Sequence, residues 1–180
     1  SDKLSKVGTQ PIIGTQINFK FEDTIGSLPL IALNYDGYKN IIDLSSNSYI
    51  KNEHTSVPHL DIDELISKSN GVLVLSGSIN GLFGKLFAKS KINEICKIYK
   101  KLSLVFKDKF YIEIQRHEDQ NEFAFESFNL KQSFDLNLPI IATNEVFYLN
   151  QDMHEAHDAL TCIGSKTYVN EKNRIKYSSQ

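Results

Sequence analysis

The chain has 180 residues, 41% hydrophobic and 23% charged, with 20 Lys and Arg against 22 Asp and Glu for a formal net charge of -2. That is the composition of an ordinary soluble globular protein, long enough to bury a full core. Without a basic excess, it leaves no electrostatic footprint for a nucleic-acid backbone.

The first residues, "SDKLSKVG", read as the last turn of a helix closed by Gly8 as its C-cap. With Ser1 in place of an initiator methionine, and "NRIKYSSQ" stopping without a closing element, the sequence reads as a fragment of something longer. Next, "TQPIIGTQINFKF" alternates Ile17, Phe19 and Phe21 with polar residues around an interior Gly14, the pattern of a strand with a bulge or close approach. "SLPLIALN", 27 to 34, is a second short buried strand. "YDGYKNIIDLSSNSYI" has helical spacing, and Asp61 with Glu64 in "DIDELI" makes a capping-box-like start for another helix.

"GVLVLSGSING" predicts a β-branched strand and a small-residue turn. "KINEICKIYKKLSLVF" puts Ile92, Ile95, Cys96, Tyr99, Leu102 and Phe106 on one helix face. "FYIEIQ" is a clean strand, and "NEFAFESFNLKQSF" repeats Phe125, Phe128 and Phe134 on a helix. "LPIIATN" predicts a short buried strand at Ile140 and Ile141, and Asp152 to Leu160 a helix capped by Asp152 with Glu155 at its third position. Strands and helices take turns, which predicts one domain built on a parallel α/β sheet or barrel with its site at the strand C-termini.

Candidate chemistry is sparse. His54 and His59 lie in a polar loop, and His154 with His157 share one helix face, for which surface or capping roles outweigh zinc in the absence of a third ligand at a defined spacing. "LSGSING" lacks the lysine and the spacing of a phosphate loop, so a tight turn explains its glycines better. Glu113, a carboxylate inside a strand, faces a polar mouth or pairs with an arginine such as Arg116, with His117 just beyond. Cys96 and Cys162 form neither a disulfide framework nor a metal knuckle, as expected in a reducing cytoplasm. No apolar run approaches the roughly 18 to 20 residues of a membrane span, and "SDKLSKVGTQ" lacks the apolar core of a signal peptide.

Taken together, "TQPIIGTQINF", "LIALNYDGYKNI", "GVLVLSGSINGLFG", "FYIEIQRH" and "LPIIATNEVFYLNQDMHEAHDAL" resemble, in order and spacing from Leu4 to Gln180, the polymerase-and-histidinol-phosphatase (PHP) domain in the version carried by bacterial replicative polymerases. The resemblance implies a distorted seven-stranded β/α barrel, here lacking its first strands and their His-x-His motif. It also implies a metal centre at which histidines, carboxylates and a cysteine activate water for phosphoester cleavage. By the same resemblance the ligand positions fall on Gln16, Ser27, Ser78, Glu145 and Phe147, of which only Glu145 keeps a metal-binding group.

Amide, hydroxyl and phenyl groups cannot replace carboxylate, thiolate and imidazole. The resemblance therefore implies a non-catalytic scaffold segment with no metal or other cofactor of its own, magnesium serving the parent polymerase elsewhere. Its partners would be the other domains of that chain and a proofreading subunit of the replicase, DNA being bound by the parent. The competing reading is an active metal-dependent phosphoesterase or 3′-5′ proofreading exonuclease, and a stand-alone sugar-phosphate phosphatase is disfavoured by "NYDGYKNI" and the "DMHEAHDAL" helix. An apolar ring at Phe147 further predicts that packing has displaced ions; were the ring mostly buried, Phe147→Ala would cost about 3 to 5 kcal/mol.

Overall fold

The computed structural model describes residues 2–52, 57–117 and 121–177, so His54 lies outside the described residues. Helix α1 (Asp2–Lys6) ends as expected at Gly8, whose φ of 81° lets Thr9 N–H donate to Leu4 O and Gly8 N–H to Ser5 O. Strands β1 (Gly14–Phe21) and β2 (Thr24–Ala32) follow, then α2 (Tyr35–Ile50), β3 (Leu60–Asp61), α3 (Ile62–Ser67), β4 (Val72–Leu75), α4 (Leu82–Ala88), α5 (Ile92–Phe106), β5 (Phe110–Ile114), α6 (Glu122–Leu136), β6 (Ile140–Ala142) and α7 (His154–Ser165).

The six strands stand in the order β3-β1-β2-β4-β5-β6, and among the described residues the sheet is not closed. It is also mixed rather than parallel. β1 and β2 form an antiparallel hairpin from Gly14↔Ile31 to Phe21↔Thr24, and β2 runs antiparallel to β4, while β1 with β3, β4 with β5 and β5 with β6 are parallel. The reason is local: only Glu22 and Asp23 separate the first two strands, and a two-residue link can join antiparallel neighbours but not a parallel pair. Glu22 takes the positive φ of 52° that such a turn demands, held by Lys91 Nζ, which donates to Glu22 at 2.9 Å and to Asp23 at 2.7 Å. Gly14 opens β1 rather than bulging it; a Cβ there would stand 2.7 Å from Leu30 O, so the close approach is real.

Strand alternation divides the sheet into two faces. Ile17, Phe19, Leu28, Leu30, Val74, Phe110 and Ile112 face the core, covered by Leu44 of α2, Leu82 and Phe83 of α4, and Ile95, Tyr99 and Leu102 of α5. The register puts Gln16, Asn18, Ser27, Pro29, Leu75, Tyr111 and Glu113 on the other face.

Several expected details differ. Asp61 precedes α3 without a side-chain capping bond, and Glu64 pairs with Lys51. On α5, Ile92 and Cys96 are only half-buried while Ile98 joins the core, and Phe134 is 87% exposed because it lies half a turn round α6 from buried Phe125. Ile140 is exposed since β6 is an edge strand. α7 begins after a 3₁₀ turn over Gln151–Met153, so Asp152 makes no cap, and the helix runs on to place Cys162 inside it and buried. No described helix is long and apolar enough to cross a membrane.

Candidate functional site

Parallel β4, β5 and β6 deliver their C-terminal ends to one edge of the sheet, the usual place for a site in such an arrangement. The β4 exit runs through Ser76, Gly77 and Ser78 to α4. Gly77, at φ 82°, and Gly81 let this turn lie against Ser27 O of β2, since a Cβ at either would be 3.4 or 3.0 Å from that oxygen. Beside it, the segments after β5 and β6 enclose a cavity of about 600 Å³ lined by Ser78, Gln115, His117, Glu122, Glu145, Phe147, Tyr148, Lys176 and Tyr177 among others.

Ser78, Glu145 and Phe147 thus line one cavity, whereas Gln16 and Ser27 do not line it. Those two sit close by on the same sheet face, Gln16 opposite Pro29 and Ser27 opposite Asn18. Phe147 is 45% exposed, so the condition of a buried ring is not met. It packs in an aromatic group instead, its centroid 5.1 Å from His157 and 4.3 Å from Tyr177, with Tyr148 5.5 Å from His157. His154 Nε2 lies 2.9 Å from Tyr177 O, so both helix histidines hold the C-terminal segment, and His59 Nδ1 contacts Val57 O.

Glu113 does not pair with Arg116. The Arg116 guanidinium makes a two-pronged contact with Glu126, Nε donating to Oε2 at 3.0 Å and Nη2 to Oε1 at 2.6 Å, which holds the Glu126 carboxyl below its ordinary range. Glu113, 5% exposed, points from the non-core face of β5 toward this edge. Its Oε1 accepts from Thr143 Oγ1 and from Gln115 Nε2 at 3.1 Å, and Gln115 Nε2 also donates to Thr143 Oγ1 at 2.9 Å. Glu122 Oε2 accepts from the His117 backbone N–H at 2.7 Å.

Gln115, Thr143, Lys176 and Tyr177 were not singled out by the sequence. The alternation of "YIEIQ" does place Glu113 and Gln115 on one face, whereas nothing local announces Tyr177, 30 residues beyond Phe147.

Among the described residues no three His, Cys, Asp or Glu side chains converge as a metal-holding group.

A mixed α/β unit with helices α2, α4 and α5 on one sheet face and a cavity at the C-terminal ends of its parallel strands is, by comparison with known proteins, a PHP domain: the family's model matches residues 1–117, and the chain belongs to that family. It is similar to the DNA polymerase III subunit alpha of several bacteria. Identity is 34% over 171 residues with the Rickettsia conorii protein, covering 93% of this chain and 14% of the relative. It is 32% over 193 residues with that of Caulobacter vibrioides, and 34% over 184 residues with that of Haemophilus influenzae, each covering all of this chain and 16% of the relative. The chain thus spans about a seventh of the length of the curated relatives it matches.

Proposed function

We propose that residues 1–180 are one segment of the N-terminal PHP domain of a cytoplasmic replicative DNA polymerase alpha subunit, serving there as a non-catalytic scaffold. DNA synthesis and its magnesium belong to other parts of that parent, and the partners are its remaining domains and a proofreading subunit. On this reading the open sheet is the described part of a distorted seven-stranded barrel.

One observation carries the reading: of the family ligand positions that reach the cavity, Ser78 presents a hydroxyl and Phe147 a ring that packs on His157 and Tyr177, so Glu145 stands without convergent partners. A lone exposed carboxylate holds a dication too weakly to activate water. Elemental analysis of the purified chain should find no stoichiometric zinc, manganese or magnesium, and neither p-nitrophenyl phosphate nor a DNA 3′ end should be cleaved. Metal-dependent turnover that disappears in Glu145→Ala would establish the competing phosphoesterase or exonuclease instead.

A further inference from the structure

A buried carboxylate is normally neutralised by a cation or by a full set of donors. Glu113 has neither. Both its donors, Thr143 and Gln115, serve Oε1, while Oε2 is buried without a partner, and so is Gln115 Oε1. No ion pair among the described residues involves Glu113. Two buried oxygens that can only accept call for an occupant that donates to both, and the unpaired carboxylate favours one that carries positive charge.

The space around them sets its size. Glu113 and Gln115 wall a recess of about 10 Å³, room for one water-sized group. Ser78, Ile79, Gln115 and Glu122 line both this recess and the 600 Å³ cavity, so the two spaces adjoin. Phe147, Tyr148, Glu145 and Lys176 line the larger cavity. An ammonium group is water-sized and carries three donors; a planar guanidinium is too large for the recess. A methylene stem would lie against the rings as lysine stems do on apolar surface.

We infer that this pocket binds a primary alkylammonium, its head in the Glu113–Gln115 recess and its stem along Phe147 and Tyr148. The source is either a lysine side chain of a partner polypeptide or a free polyamine; the chemistry is shared. The inference rests on the corner being free of metal.

The test is titration of the ¹⁵N-labelled chain with Nα-acetyl-lysine methylamide, a lysine-containing peptide and 1,5-diaminopentane, each with and without chelator. Saturable binding that shifts the Glu113, Gln115 and Phe147 signals is expected. The Nε-acetylated lysine and the arginine analogue should bind at least ten-fold more weakly. Glu113→Gln should weaken binding ten-fold or more, and Phe147→Ala, at an exposed ring, provides a second variant that should weaken it several-fold if Glu113→Gln fails to fold. Tight binding by peptide alone identifies a polypeptide partner, and equal binding by the diamine a free polyamine. Absence of saturable binding with chelator present, or equal binding of the Nε-acetylated form, overturns the inference. Amine binding that appears only after chelation sustains it while refuting the metal-free reading of the corner.

Discussion

Phe147 and His157 stack with their planes 29° apart and centroids 5.1 Å apart, joining the segment after β6 to helix α7. Tyr177 closes on the same ring at 4.3 Å. Truncating a half-exposed ring forfeits one or two aromatic contacts and part of its burial, so Phe147→Ala should cost about 1 to 2 kcal/mol rather than a core penalty. Phe147→His should destabilise comparably without creating a metal site, because the other family positions Gln16, Ser27 and Ser78 still carry no imidazole, carboxylate or thiolate. Denaturant melts with and without zinc measure both effects. A histidine variant whose melting point climbs on adding zinc would show the old corner to be one residue from function.

In the core, Tyr99 is fully buried between Phe83 and Phe110, at 4.6 and 5.4 Å, and its hydroxyl donates to Asn129 Oδ1 at 2.9 Å. Burial pushes this phenol well above its ordinary titration range. Tyr99→Phe keeps the ring packing but strips a buried acceptor of its donor, a loss of about 1 to 3 kcal/mol. Adding Asn129→Leu should return part of it, so a double-mutant cycle in urea checks the coupling; strictly additive losses would show that the bond contributes nothing.

Gly37 sits in the first turn of α2, where its N–H donates to Asn34 Oδ1 at 2.9 Å and caps the helix. Helix propensity alone would favour alanine here by roughly 1 kcal/mol. A Cβ would stand 1.8 Å from Gly71 O, a backbone atom that cannot swing away. Overpacking of this kind costs about 1 to 3 kcal/mol, and the severity of the clash places Gly37→Ala at the upper end, so the net effect is destabilising. A raised melting point would show that the β4 approach relaxes freely.

What could be read from the chain follows from how local each signal is. The α2 and α5 helices and the strands at 72–75 and 110–114 declare themselves within a few residues through periodicity, and the structure places them accordingly. The hairpin was missed because "FEDT" lacks the Asn-Gly or Asp-Gly pair that announces a tight turn, its geometry being held instead by Lys89 and Lys91 from beyond α4. At the site, Ser78, Glu145 and Phe147 line one cavity, whereas Gln16 and Ser27 do not. The bond from Thr143 to Glu113, and the closure of Tyr177 over Phe147, each span about 30 residues, so only the fold reveals them.

Asp158 and Arg174 make the most buried ion pair of the described set, their side chains 16% and 4% exposed, with Nη1 reaching Oδ1 and Nη2 donating to Oδ2 at 2.7 Å. Arg174 Nε also donates to Val169 O at 3.1 Å, so the pair straps the segment after α7 back onto the helix. The guanidinium holds the Asp158 carboxyl below its ordinary range. A carboxylate lowered on folding contributes stability that is fully present above its unfolded pKa, about 3.9, and is lost as pH falls through the folded value. Asp158→Asn removes the charge at every pH. Its melting point should therefore lie below that of the parent chain by a constant amount from pH 7 down to about 4 and converge with it at lower pH. Paired melts across pH 2 to 7 read the difference directly, and a gap that stays constant to the acid limit would show that Arg174 exerts no hold on the carboxylate.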